Sequence, residues 1–134
     1  DSQFVKVDTT TLAGGTSPEL YTYLATLRIQ PRTPVAQIRL RVGESKGGSY
    51  QGHANIEYNG TVHEVTGGLD QLDGREFGDA ANGRIRIEAK LALRGGTRYD
   101  GTLKVRALSG EITSFGIGGA ALAVDDVCFT PNAP

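Results

Sequence analysis

The 134-residue chain lacks tryptophan and methionine, and Cys128 is its single cysteine. One cysteine excludes an intrachain disulfide, so stability has to come from packing, a metal ion or assembly. Because Cys128 lies within the apolar run 127–129, we interpret it as a small buried hydrophobic residue rather than as a thiol for intermolecular pairing.

Long hydrophobic segments and an excess of positive charge are also absent. No run approaches the roughly 20 apolar residues that span a bilayer, and the net charge of -1 gives no overall basic character that would attract nucleic acid. We therefore predict neither membrane insertion nor a nucleic-acid partner. The start at Asp1 without a methionine, together with a glycine- and threonine-rich composition, favours a mature extracellular or cell-surface segment.

Recognisable catalytic motifs are missing as well, including the nucleophile elbow, the HExxH zinc site, the P-loop and the dinucleotide fingerprint. A two-residue hairpin at Asn59–Gly60 would place Glu57 diagonal to Glu64, about 7–8 Å away. That distance is within the range used by inverting glycosidases. Polar residues on one sheet face are more often just its solvated side, so we predict that the protein is not an enzyme.

What the sequence does contain is a period of two. In residues 84–93 apolar side chains occupy every second position, which predicts a half-buried strand. The alternation recurs in residues 21–29, 36–42 and 103–107, and shorter candidates are 4–12, 52–58, 61–66, 112–117 and 120–129. We predict one domain over residues 1–134, with 131–134 as a tail. Its fold class is all-β: an antiparallel β-sandwich of the jelly-roll type with about eight or nine strands.

Acidic residues suggest two metal sites. The segment 70–83 places oxygen-bearing side chains at three-residue intervals, a pattern that could wrap Ca²⁺ or simply form a solvated loop: Asp70, Asp73, Glu76, Asp79 and Asn82. In the apolar segment 123–129, alternation pushes either Asp125 or Asp126 toward the interior unless a bulge intervenes. A buried carboxylate there would need a metal ion or an arginine.

The stretch around Asp125 and Asp126 resembles the closing strand of jelly-roll carbohydrate-binding modules, the galactose-binding-like sandwiches. Their last strand often reads apolar–Asp–Asp/Asn–apolar–x–apolar after a glycine-rich turn. The resemblance implies a glycan ligand and a structural Ca²⁺ held by Asp125 or Asp126. That family commonly stacks sugars on tryptophan, so here Tyr50, in a glycine-rich loop, and Tyr99, near a hairpin tip, would have to serve.

Cationic side chains point away from the apolar faces of three predicted strands: Arg39, Arg41, Arg84, Arg86, Lys104 and Arg106. If those strands are neighbours, the cations form a stripe suited to an acidic polysaccharide. The alternative is that they provide solubility and protect strand edges.

Two functions follow from these features. The first is a non-catalytic extracellular module that binds a glycan, with an acidic polysaccharide as a candidate, and that carries structural Ca²⁺. The second is a self-assembling subunit of an extracellular filament or coat, in which the segment 4–12 adds as a strand to a neighbouring copy.

Overall fold

The computed structural model describes residues 5–11, 25–45, 53–66, 69–94, 98–118 and 123–131. Within these ranges the chain forms ten β-strands and one 3₁₀ turn, Leu69–Gln71. The strands are β1 (Val5–Thr11), β2 (Ala25–Pro31), β3 (Val35–Ser45), β4 (His53–Tyr58), β5 (Thr61–Thr66), β6 (Glu76–Asp79), β7 (Gly83–Arg94), β8 (Arg98–Ser109), β9 (Phe115–Gly118) and β10 (Ala123–Pro131).

The strands form two five-stranded antiparallel sheets. Sheet A has the order β1-β2-β9-β4-β5, and sheet B has the order β10-β3-β8-β7-β6. The chain crosses from one sheet to the other after β2, β3, β5, β8 and β9. The predicted antiparallel sandwich is confirmed, with β6 as a strand that the sequence analysis did not identify.

The core forms where the alternating apolar faces of the two sheets meet. Ile29, Ile56 and Phe115 of sheet A and Ile38 and Ile87 of sheet B are fully buried in one cluster. Burying an isoleucine or phenylalanine side chain stabilises the fold by about 1.5–3 kcal/mol, so this cluster holds the sheets together. The opposite face of sheet B is left for charged side chains.

Two hairpins show how well turn chemistry predicts register. Tyr58 pairs with Thr61, and Asn59 and Gly60 between them have φ angles of 49° and 94°, which is the predicted two-residue turn. In the β7–β8 hairpin, pairing continues to Arg94 and Arg98. Tyr99 lies in β8 opposite Leu93, next to that last pair, so it lies near the hairpin tip as predicted.

The N-terminal strand pairs within its own chain. β1 runs antiparallel to β2, from Val5 opposite Pro31 to Thr11 opposite Ala25, and it forms one edge of sheet A. In the described part of the chain, no helix is long and apolar enough to cross a membrane.

Candidate functional site

The outer face of sheet B brings the predicted basic residues together. Strands β3, β8 and β7 are neighbours, and directly paired residues point to the same face. The register produces two adjacent rows across these strands, Arg39–Lys104–Glu88 and Arg41–Thr102–Lys90. A third row joins Arg106 to Arg86, and Arg84 follows along β7.

Most cations on this face have an acidic neighbour. Glu88 lies between Lys104 (3.8 Å) and Arg106 (3.3 Å), and Glu76 lies between Arg84 (3.9 Å) and Arg86 (3.6 Å). Arg41 lies 3.7 Å from Asp126 at the edge strand β10. All these side chains are partly exposed, so each pair contributes at most about 1 kcal/mol. The pairs therefore cancel much of the charge without locking the face.

A cleft of about 280 Å³ opens between the first two rows, lined by Arg39, Glu88, Lys90, Thr102 and Lys104. It exists because the short side chain of Thr102 stands among long ones. Within the described residues, neither Arg39 nor Lys90 has an ion-pair partner. The cleft therefore contains three cations and one carboxylate, which is the charge balance of an anion-binding surface.

The side chains of the two predicted aromatic contacts, Tyr50 and Tyr99, lie outside what the structure describes. Tyr50 lies outside the described residues. Tyr99 is described by its position in β8, three residues before Thr102 and opposite Glu44. The structure thus brings the predicted basic residues to one face of sheet B, and the aromatic contacts stay a prediction.

Part of the acidic segment 70–83 forms regular structure at the edge of sheet B. Residues 73–75 extend the edge of sheet B, since Gly74 N–H donates to Ile87 O and Ile87 N–H donates to Arg75 O, both at 2.8 Å. Asp73 Oδ1 accepts the Ala89 N–H at 2.9 Å. Glu76 lies on β6 and faces arginines.

Asp79 uses its carboxylate within its own turn. Its Oδ1 accepts the N–H groups of Asn82 (2.7 Å) and Ala81 (2.9 Å), and Oδ2 accepts the Asn82 side-chain amide at 3.2 Å. These hydrogen bonds, led by that from the Asn82 backbone, lower the pKa of the Asp79 carboxyl. The carboxylates of Asp73, Glu76 and Asp79 thus contact separate local partners.

A bulge in β10 keeps the carboxylates of the two adjacent aspartates, Asp125 and Asp126, out of the interior. The register shifts between Asp125 and Cys128, and Asp126 takes a positive φ of 51°. Both carboxylates are consequently exposed, and Asp125 Oδ1 accepts the Asp126 N–H at 2.8 Å. The shift also turns Cys128 outward beside Arg39, so the interpretation of a buried cysteine is wrong.

The candidate metal ligands lie at opposite edges of sheet B. Asp125 and Asp126 belong to β10, whereas Asp73 borders β7 beyond three intervening strands, and Asp70 lies in the neighbouring 3₁₀ turn. Among the described residues, no group of three or more His, Cys, Asp or Glu side chains is placed to hold a metal ion. Calcium binding stays a prediction.

Among the described residues, the buried carboxylate is that of Glu57, which was predicted to lie on a solvated face. Arg28, Gly116 and Glu57 form one row across β2, β9 and β4. Glu57 is fully buried, and its Oε1 lies 2.7 Å from Arg28 Nε. Ser114 Oγ donates to Glu57 Oε2 at 2.8 Å, and Gly60 N–H donates to the same oxygen at 3.1 Å.

These contacts assign Glu57 a structural role. Asn55 pairs with Glu64, which places Glu57 diagonal to Glu64 as predicted. Both oxygens of Glu57, however, have partners and are buried. The signal in the sequence was the alternation Phe115–Gly116–Ile117–Gly118: two glycines on one strand face leave room for the Arg28 and Glu57 side chains to meet.

A larger cavity, about 440 Å³, lies beside the Asn59–Gly60 turn, but most of its polar groups are already used. The Asn59 side chain donates to Glu111 O (2.8 Å) and accepts from Thr113 N–H (2.8 Å), while Tyr58 donates to Glu111 O at 3.3 Å. The cleft on sheet B is therefore the better candidate. Comparison of the chain with protein-family models, curated proteins and solved structures finds no match.

Proposed function

We propose that this protein is a non-catalytic binding module for an acidic glycan, which lies across the outer face of sheet B in the cleft between Arg39 and Lys90. One observation carries the proposal. Of the cations that the described residues place on this face, the two without an ion-pair partner line the same cleft.

The chemistry of these side chains suits an extended anionic chain. Arg39 offers a planar fork that can bind a carboxylate through two hydrogen bonds, and Lys90 and Lys104 offer point charges. Neighbouring strands are about 4.8 Å apart, so a ligand lying across β3, β8 and β7 meets charges at short, regular intervals. Such complementarity favours both rapid encounter and selection against neutral chains. The composition that favours an extracellular location agrees with this role.

Binding of a uronic-acid oligosaccharide, measured by isothermal titration calorimetry against a neutral glucan of equal length, tests the proposal. We expect binding of the acidic chain alone, weakened by salt because the contacts are exposed. Arg39→Ala and Lys90→Ala should each weaken it about fivefold, as expected for loss of about 1 kcal/mol. Arg32→Ala, in the turn after β2, removes the same charge elsewhere and serves as the control.

Two results would overturn the proposal: equal affinity for the neutral glucan, or equal weakening by Arg32→Ala. Thermal unfolding with and without EDTA examines the calcium prediction. If Ca²⁺ supports the fold at Asp125 or Asp126, the chelator should lower the melting temperature.

Assembly is a second candidate, favoured by the position of β1. This strand lies at the edge of sheet A and pairs with β2, so exchange of β1 between copies would preserve the same hydrogen bonds. Sedimentation of the full chain distinguishes the candidates. Stable polymers that disappear when residues 1–11 are removed would support assembly, and a monomer over a wide concentration range would exclude it.

A further inference from the structure

Glu88 is the single acidic side chain among the described residues that line the cleft. About a third of its side chain is exposed. Its Oε1 lies 3.3 Å from Arg106 and its Oε2 lies 3.8 Å from Lys104 Nζ. Both distances exceed the 2.7–2.9 Å or so of a strong charge-assisted hydrogen bond, so the oxygens keep lone pairs for further donors.

The Glu88 carboxylate opposes the attraction that the neighbouring cations exert on an anionic ligand. It repels any polyanion that enters the cleft, and that repulsion has to be offset by the ligand. A sugar hydroxyl can offset it, because an O–H group that donates to a carboxylate forms a short, charge-assisted hydrogen bond. A polyanion without hydroxyl groups has nothing to donate.

Resting on the proposed function, we infer that Glu88 is a specificity residue that accepts hydroxyl hydrogen bonds from the ligand. The cleft then selects sugars in which a free hydroxyl lies near an acidic group, and it discriminates against polyanions that have charge alone. Arg39, Lys90 and Lys104 bind the charge, and Glu88 recognises the adjacent hydroxyl.

The chain offers a matched control for this inference. Glu76 lies on the same outer face and also contacts two cations, Arg84 and Arg86, at 3.9 and 3.6 Å. It does not line the cleft. Glu76→Gln therefore removes the same charge from the same face while leaving the proposed hydroxyl acceptor in place.

The experiment compares a uronic-acid oligosaccharide with inorganic polyphosphate of equal charge, titrated into the wild-type chain, Glu88→Gln and Glu76→Gln. We expect Glu88→Gln to weaken binding of the oligosaccharide about threefold, since a neutral acceptor is roughly half as strong. We expect it to strengthen binding of polyphosphate by a similar factor. Glu88→Ala should likewise weaken binding of the oligosaccharide and strengthen binding of polyphosphate. Glu76→Gln should strengthen binding of both ligands slightly. Unchanged thermal unfolding confirms that the variants are folded.

The possible failures can be told apart. If Glu88→Gln strengthens both ligands as Glu76→Gln does, the role of Glu88 is overturned while the acidic cleft stands. If Arg39→Ala and Lys90→Ala leave oligosaccharide binding unchanged, the proposed function itself fails, and the role of Glu88 fails with it.

Discussion

Arg28 Nε lies 2.7 Å from Glu57 Oε1, and Gly116 stands between the two residues in the same row of sheet A. The Nε–H is not aligned with the oxygen, so the contact is an ion pair rather than a hydrogen bond. Glu57 has no access to water, whereas about a third of the Arg28 side chain does. Loss of Arg28 therefore leaves a charge without water, whereas loss of Glu57 leaves a charge that water can still reach.

Arg28→Met should destabilise the protein more than Glu57→Gln. It leaves a buried carboxylate that only Ser114 Oγ and Gly60 N–H stabilise, for a loss of about 2 kcal/mol, less than for a fully buried pair because Arg28 is partly hydrated. Glu57→Gln lets Arg28 turn to water and should lose about 1 kcal/mol. The double variant should be more stable than Arg28→Met alone. Urea unfolding measures the free energy of unfolding of the two single variants and the double variant. If the double variant lost the sum of the two single losses, the prediction would be contradicted.

Gly83→Ala should be far more damaging than Gly60→Ala, although the φ angles are nearly equal at +99° and +94°. Both changes strain the backbone by about 1 kcal/mol. A Cβ at residue 83 would also lie 2.6 Å from Tyr58 Oη and 3.0 Å from Ser109 O, whereas a Cβ at residue 60 meets nothing within 4 Å. We expect an extra loss of about 2 kcal/mol for Gly83→Ala. Tyr58→Phe in the Gly83→Ala background should recover part of it in urea unfolding.

His63 should make stability depend on pH. It pairs with Ile56, its ring centre lies 5.2 Å from that of Phe77, and its buried Nε2 has no hydrogen-bond partner within the described structure. Burial lowers the pKa of His63 below the ordinary 6.5. As pH falls, His63 therefore takes up a proton in the unfolded chain at a higher pH than in the folded chain. The stability that is fully present above about pH 6.5 is lost as pH falls toward the lower pKa of the folded state.

Urea unfolding at about pH 7.5 and about pH 5.5 measures this loss across the histidine range. His63→Gln should remove most of the difference. His53→Gln changes the second of the two histidines and serves as the comparison. A pH response that survives His63→Gln and disappears with His53→Gln would contradict the assignment.

Side-chain alternation and turn chemistry were enough to predict much of the fold. The strand β5 and the Asn59–Gly60 turn agree residue by residue, because a two-residue turn with positive φ fixes both register and face. β6 could not be found this way: its four residues, Glu76–Asp79, contain one buried side chain, Phe77. A strand with one apolar residue has no period to detect.

The sites were harder to predict than the strands. The basic rows follow from strand polarity once β3, β8 and β7 are known to be adjacent, and that adjacency is a property of the topology. The bulge at Asp126 cannot be read from alternation, because it breaks the period on which the prediction depends. Glu57 looked solvated for a different reason: the burial of its face depends on distant residues such as Arg28 and Ser114.

Cys128 should act as a reporter for the proposed cleft. Its thiol is exposed and it is the direct cross-strand partner of Arg39, so an anionic disulfide reagent should react with the folded protein without denaturant. A bound uronic-acid oligosaccharide should slow that reaction at least about threefold, because it covers the cleft and neutralises the charge that attracts the reagent. Lys90→Ala should reduce the protection at the same oligosaccharide concentration.

Iodoacetamide, a neutral reagent, serves as the control because its reaction is slowed by steric cover of the thiol and not by loss of positive charge. Equal protection by a neutral glucan, or a thiol that reacts only after unfolding, would show that Cys128 does not border an acidic-glycan site.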